Sequence, residues 1–117
     1  MKFVFMTKKD REVYDYVIKH FNELSQALND INDDYDTFVS NIVYQKAIKM
    51  DLFQIGELFN LFSNDVKRNF NNRDIRGIID VRNYIAHGYI AVKDKTIWND
   101  LHNDLPRLIS QLKLLFE

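Results

Sequence analysis

The chain has 117 residues, the length of one domain, and 46% of them are hydrophobic with 14% aromatic. It contains no cysteine, which excludes disulfides and thiolate metal sites, and its net charge of −1 argues against a protein that coats nucleic acid by bulk charge. The apolar stretch at the N-terminus is too short for a signal peptide or a membrane span. We therefore expect a cytoplasmic protein that does not engage a membrane.

The first predicted helix carries apolar residues at helical spacing from Val13 to Ile31. Thr7 and Asp10 before it resemble a capping box. A second helix is predicted from about Asp36 to Phe62, and its apolar positions populate more than one face, as in a central or interfacial helix. Gly56 in its middle is explained most simply by close packing of a neighbouring helix.

A polar connection with room for one helical turn follows, and Asn72 or Asp74 is expected to cap a third helix that continues through Ile85 and ends at Gly88. A fourth helix is predicted from a cap at Asp94, with a bend at Pro106 because proline lacks a backbone donor. Four helices with short connections and no strand pattern predict an all-α, antiparallel four-helix bundle, with residues 1–117 forming a single domain.

The segment "RNYIAHGY" at 82–89 carries the most distinctive chemistry. Arg82 and His87 lie about 140° apart on an ideal helix, but a flexible arginine and a helix that ends at Gly88 would let them converge on one anion. Histidine has an ordinary pKa of about 6.5 and suits a general base, while arginine binds phosphate oxygens. Such a pair suits RNA cleavage through the 2′-hydroxyl, which needs neither a metal nor a cofactor. The alternative is a solvated helical face with a histidine favoured by the helix dipole.

Three segments in order resemble HEPN-domain proteins of the HepT-like type, the toxin half of HepT/MntA toxin–antitoxin pairs: "QKAIKMDLFQIGELFNLFS" (45–63), "IRGIIDVRNYIAHGY" (75–89) and "VKDKTIWNDLHNDLPRLISQL" (92–112). The resemblance implies a helical bundle and metal-independent endoribonuclease activity, with two motifs meeting at a homodimer interface. It implies Arg82 and His87 as the catalytic pair, with Asn83 orienting substrate or histidine. It also implies Tyr89 as the tyrosine that receives AMP, and Glu57 as a supporting residue.

The implied partners are an RNA substrate and a cognate MntA-like nucleotidyltransferase antitoxin, with a homodimer or a larger hetero-oligomer as the assembly. The sequence departs from related ones before the third helix, where "FNNRDI" replaces the usual Pro-Trp pair. An alternative function is a non-catalytic HEPN module that binds and assists a nucleotidyltransferase. The intact set of Arg82, Asn83 and His87 favours catalysis.

Overall fold

Seven helices form the part of the chain that the computed structural model describes, residues 4–87 and 94–117. They are α1 (Lys8–Asp30), α2 (Tyr35–Ser40), α3 (Ile42–Phe59), α4 (Asn64–Lys67), α5 (Asn72–His87), α6 (Asp94–His102) and α7 (Asp104–Phe116). No strand occurs within these ranges. The predicted all-α bundle is confirmed, and its four long units are α1, α3, α5 and the α6–α7 pair. No helix of the described ranges has the length and apolar content needed to cross a bilayer.

The capping box predicted at the start of α1 is present. Asp10 donates its backbone N–H to the Thr7 hydroxyl at 2.9 Å, and Thr7 donates its own N–H to the Asp10 carboxylate at 3.0 Å. Asp10 also accepts hydrogen bonds of 2.8 Å from the backbone N–H and the hydroxyl of Ser63, which lies after α3. The cap therefore fixes the start of α1 against the far end of α3.

The prediction of one continuous second helix was wrong, because Asn41 divides it into α2 and α3. Asn41 has an extended backbone (φ −93°, ψ 97°), and its side chain accepts the Tyr44 N–H at 3.3 Å. An asparagine at this position caps a new helix instead of continuing the old one. Gln45 donates to the carbonyls of Phe38 and Val39 at 3.2 Å, which satisfies the end of α2.

The residue that caps α5 also differs from the predicted ones. The side chain of Asn71, rather than that of Asn72 or Asp74, accepts a backbone hydrogen bond at the helix start, from Arg73 at 2.8 Å. Asp74 is buried in the first turn and binds Arg107 of α7. The single helical turn expected before this helix is α4, and α6 begins at Asp94 as expected. The predicted end at Gly88 lies outside the described residues.

The bend predicted at Pro106 takes the form of a break three residues earlier. Asn103 (φ −123°, ψ −73°) separates α6 from α7. Pro106 is the third residue of α7, where backbone N–H groups have no partner inside the helix, so the missing donor of proline costs little. The periodicity resumes in α7 as predicted, and the helix buries Leu105, Leu108 and Leu112.

The core lies between α1, α3, α5 and α7. α3 packs against both α1 and α5, and α7 packs on α5 and α1. Fully buried side chains from all four helices meet there: Val17, Leu24, Ile48, Leu52, Ile55, Ile78, Leu105, Leu108 and Leu112. The arrangement leaves one side of α3 against α1 and another against α5, which carries the predicted catalytic residues.

Candidate functional site

Gly56 sets how closely α3 and α5 approach at Arg82. A Cβ atom at position 56 would lie 2.7 Å from Arg82 Cβ and 3.0 Å from Arg82 Cγ, closer than real side chains pack. The Cβ atom of Arg82 cannot move without moving the backbone that carries it. The glycine therefore makes room for the stem of Arg82 to cross the surface of α3.

The guanidinium of Arg82 is held from two sides. Its Nε donates to the Glu57 carboxylate, and its Nη1 donates to Asn83 Oδ1 at 2.7 Å. Its central carbon lies 5.2 Å from the centre of the Phe53 ring, within the range of a cation–π contact. The structure thus brings together three residues that the sequence predicted, Arg82, Asn83 and Glu57. Phe53 was not predicted, although its position one helical turn before Glu57 places it on the same side of α3.

One nitrogen of this guanidinium donates no hydrogen bond to any residue in the described ranges. Arginine has five N–H donors in a planar fork. Among the described residues, none accepts a hydrogen bond from Nη2, and the side chain as a whole is 26% exposed. Glu57 is 41% exposed, so its charge is well hydrated. Glu57 and Asn83 therefore orient a partly exposed guanidinium, a group whose planar fork suits a phosphate.

His87 is not brought onto the same face as Arg82 within one chain. α5 is helical through His87, so five residues separate the two side chains by about 140° around the axis and about 7.5 Å along it. Arg82 turns towards α3, whereas His87 is exposed at the end of the described part of α5. The hypothesis that a flexible arginine and a helix end at Gly88 let the pair converge on one anion stays a prediction, because Gly88 lies outside the described residues.

Tyr89, the predicted acceptor of AMP, lies outside the described residues. The other two histidines have structural partners. His20 Nδ1 lies 3.0 Å from Asp51 Oδ1, and the ring of His102 lies between Asp33 and the backbone carbonyl of Trp98 at 2.7 and 2.8 Å. None of these hydrogen bonds involves Arg82.

Comparisons with known proteins place the sequence in a family. The sequence profile of the family described as ribonuclease HepT-like matches residues 31–115. A protein of Methanocaldococcus jannaschii named "Putative RNase MJ1380" is 24% identical over 111 residues, which cover 94% of this chain and 100% of that protein. No solved structure shows a significant match. Since the profile covers more than half of the chain, including α3, α5 and the cluster around Arg82, the chain belongs to the HepT-like ribonuclease family.

Proposed function

We propose that this protein is a metal-independent endoribonuclease that acts as the toxin of a toxin–antitoxin pair. The observation that carries the proposal is the partly exposed arginine of the RNYIAH segment, oriented by Glu57 and Asn83. Membership of a ribonuclease family supports the same reaction class. In this proposal RNA is the substrate, and its own 2′-hydroxyl is the nucleophile.

The chemistry divides between His87 and Arg82. His87 takes the proton of the 2′-hydroxyl as the oxygen attacks the adjacent phosphorus. The bond from phosphorus to the 5′-oxygen then breaks, the 5′-oxygen takes a proton from solvent, and a 2′,3′-cyclic phosphate remains. Negative charge grows on the phosphoryl oxygens in the transition state, and the fork of Arg82 stabilises it there. Asn83 and Glu57 hold the arginine in place.

A homodimer supplies the geometry that one chain lacks. Because Arg82 and His87 leave α5 in different directions, we propose that two copies meet so that the motifs of both face one RNA strand. Exposed apolar side chains along α3 support this: Val43 is 71% and Met50 is 57% exposed, and both lie in line with Glu57 at seven-residue spacing. A specific interface should bury more than about 1,000 Å² in total. Sedimentation that shows a stable monomer at micromolar concentration would contradict the composite site.

Cleavage of RNA by the purified protein in the presence of EDTA tests the activity. His87→Ala should lower the rate by about 10²–10⁴-fold, the usual contribution of a general base, without loss of helical circular dichroism. His102→Gln is the matched control, since it removes a histidine that binds Asp33 instead. Full activity in His87→Ala would remove this residue from the mechanism. Inactive wild-type protein that still binds a nucleotidyltransferase would favour the non-catalytic module.

Neutralisation is proposed to occur by AMP addition to Tyr89 by a partner nucleotidyltransferase. One AMP adds a phosphodiester with one negative charge, two residues beyond His87, where it opposes an RNA phosphate by repulsion and bulk. Tyr89→Phe keeps the ring but removes the attachment point. We expect this variant to fold, to cleave RNA, and to gain no mass after incubation with the partner and ATP. Undiminished AMP addition would move the modification to another residue.

A further inference from the structure

One histidine and two carboxylates converge where α1 packs against α3. His20 and Glu23 lie one helical turn apart on α1, and Asp51 faces them from α3. His20 Nδ1 is 3.0 Å from Asp51 Oδ1 and 3.6 Å from Glu23 Oε2, and the three ligand atoms all lie within 4.8 Å of one another. The described residues hold no other group of three such side chains that are this close.

The two separations from His20 are close to those between neighbouring ligands of a metal ion. Ligand bonds of about 2.0–2.2 Å at tetrahedral or octahedral angles place neighbouring ligand atoms roughly 2.8–3.6 Å apart. The separations of His20 from the two carboxylates, 3.0 and 3.6 Å, are close to that interval. The Glu23 side chain is 50% exposed, so a small rotation brings its carboxylate nearer to Asp51.

The charges also favour a cation. The side chain of Asp51 is only 12% exposed, yet it lies beside a second carboxylate. Two carboxylates packed against one imidazole carry more negative charge than a single imidazolium can balance. A divalent cation would balance both carboxylates at once.

We propose that His20, Glu23 and Asp51 bind one divalent transition-metal cation of the Zn²⁺ class and thereby link α1 to α3. A nitrogen ligand with two carboxylate oxygens suits this class of cation better than Ca²⁺ or Mg²⁺, which prefer oxygen alone. The side chains of His20 and Glu23 are partly exposed, so water completes the coordination. The site is separate from Arg82, because Asp51 and Glu57 are six residues apart and point to different sides of α3.

Calorimetric titration of the whole, chelator-treated protein with ZnCl₂ tests the proposal. Wild type should bind one ion per chain, and its melting temperature should rise with the metal. Asp51→Asn and His20→Gln should each weaken binding by at least about tenfold and lose this rise. His102→Gln is the matched control and should bind like wild type, because His102 pairs with a single carboxylate, that of Asp33.

Two results would overturn the proposal. One is the absence of saturable Zn²⁺ binding by the folded wild-type protein. The other is wild-type binding by His20→Gln, which replaces a partly exposed side chain and is expected to fold even if Asp51→Asn does not. RNA cleavage in EDTA measures catalysis, whereas zinc titration without RNA measures metal binding. Failure of the zinc titration therefore leaves the proposed ribonuclease activity standing, and failure of the cleavage assay leaves the proposed metal site standing.

Discussion

Two arginines of this protein, Arg82 and Arg107, bind carboxylates in opposite arrangements. Arg107 is 51% exposed and reaches back to the buried Asp74, which is only 4% exposed. Its Nε and Nη2 contact both oxygens of Asp74 at 3.1–3.3 Å, and Nη2 also contacts Asp104 at 2.5 Å. Arg82 is the more buried member of its pair, at 26% against 41% for Glu57.

The difference separates a structural arginine from a functional candidate. Arg107 meets two carboxylates, and its pKa is raised first by the hydrogen bond with Asp74, so its charge serves to neutralise acid at the start of α5. Arg82 meets one hydrated carboxylate and one neutral amide, which orient the fork without using all of it. The segment at 82–89 already marks Arg82 in the sequence, and the structure adds the difference in burial and partners between the two arginines.

The largest expected effects come from exchanging the two arginines for alanine. Arg82→Ala should lower RNA cleavage by about 10²–10³-fold, the usual loss when a donor to developing charge is removed. Its stability should change little, because Glu57 is exposed enough to hydrate. Arg82→Lys should also be impaired, since lysine lacks the bidentate fork.

Arg107→Ala should have the opposite effect to Arg82→Ala, with a loss of stability and no loss of activity. It leaves the buried Asp74 without its cation, so the midpoint of urea unfolding should fall while the rate of RNA cleavage stays at the wild-type value. RNA cleavage rates and urea unfolding midpoints of Arg82→Ala and Arg107→Ala test both expectations. A stable, inactive Arg107→Ala protein, or an unstable but active Arg82→Ala protein, would reverse the assignment.

A smaller effect is expected from the two glycines that border these sites. Gly56→Ala places a Cβ against the stem of Arg82, at 2.7 Å, so overpacking should lower the unfolding free energy by about 1–3 kcal/mol. The gain in helix propensity, about 1 kcal/mol, offsets part of this. The displaced Arg82 should also reduce cleavage.

Gly77→Ala is the matched control in α5. Its Cβ would meet Asp104 Oδ2 at 2.5 Å, but this atom is the end of a short side chain that can rotate. We therefore expect a smaller loss of stability and no loss of cleavage. Thermal unfolding and RNA cleavage of both variants test this. Equal losses of stability and of cleavage rate in the two variants would show that the close approach of α3 to Arg82 is not required for activity.

The sequence predicted the helices from their apolar spacing, because that spacing records which side of each helix is buried. It did not predict the break at Asn41 or the shift of the α5 cap to Asn71, since several polar residues there can cap a helix and local hydrogen bonding decides between them. Family resemblance predicted a site of Arg82, Asn83 and His87 with Glu57 as a supporting residue, and the structure brings Arg82, Asn83 and Glu57 together. The contacts with Phe53 and Gly56, however, depend on how α3 and α5 cross, and that crossing is a property of tertiary packing.

The acidic surroundings of Arg107 provide the last and smallest test. Asp100, on α6, has its pKa raised to about 7, first by burial and then by the nearby Asp104 and Asp80. Between the ordinary value near 3.8 and about 7, the native state therefore binds a proton that the unfolded chain has released. Stability consequently falls as the pH rises through this window and is constant above it.

Asp100→Asn cannot ionise and should escape that fall, so its advantage over wild type should grow from pH 5 to pH 8. Each pKa unit corresponds to about 1.4 kcal/mol, but Asp100 is only half-buried, and screening by solvent reduces the expected gain at pH 8 to about 1–2 kcal/mol. Urea unfolding at both pH values measures it, with the exposed Asp15→Asn as control. A gain that is the same at pH 5 and pH 8 would mean that the amide stabilises the native state by packing or hydrogen bonding. The pKa of Asp100 would then not be raised, and the contrast with Arg82 would rest on the direct contacts of Arg107 with Asp74 and Asp104.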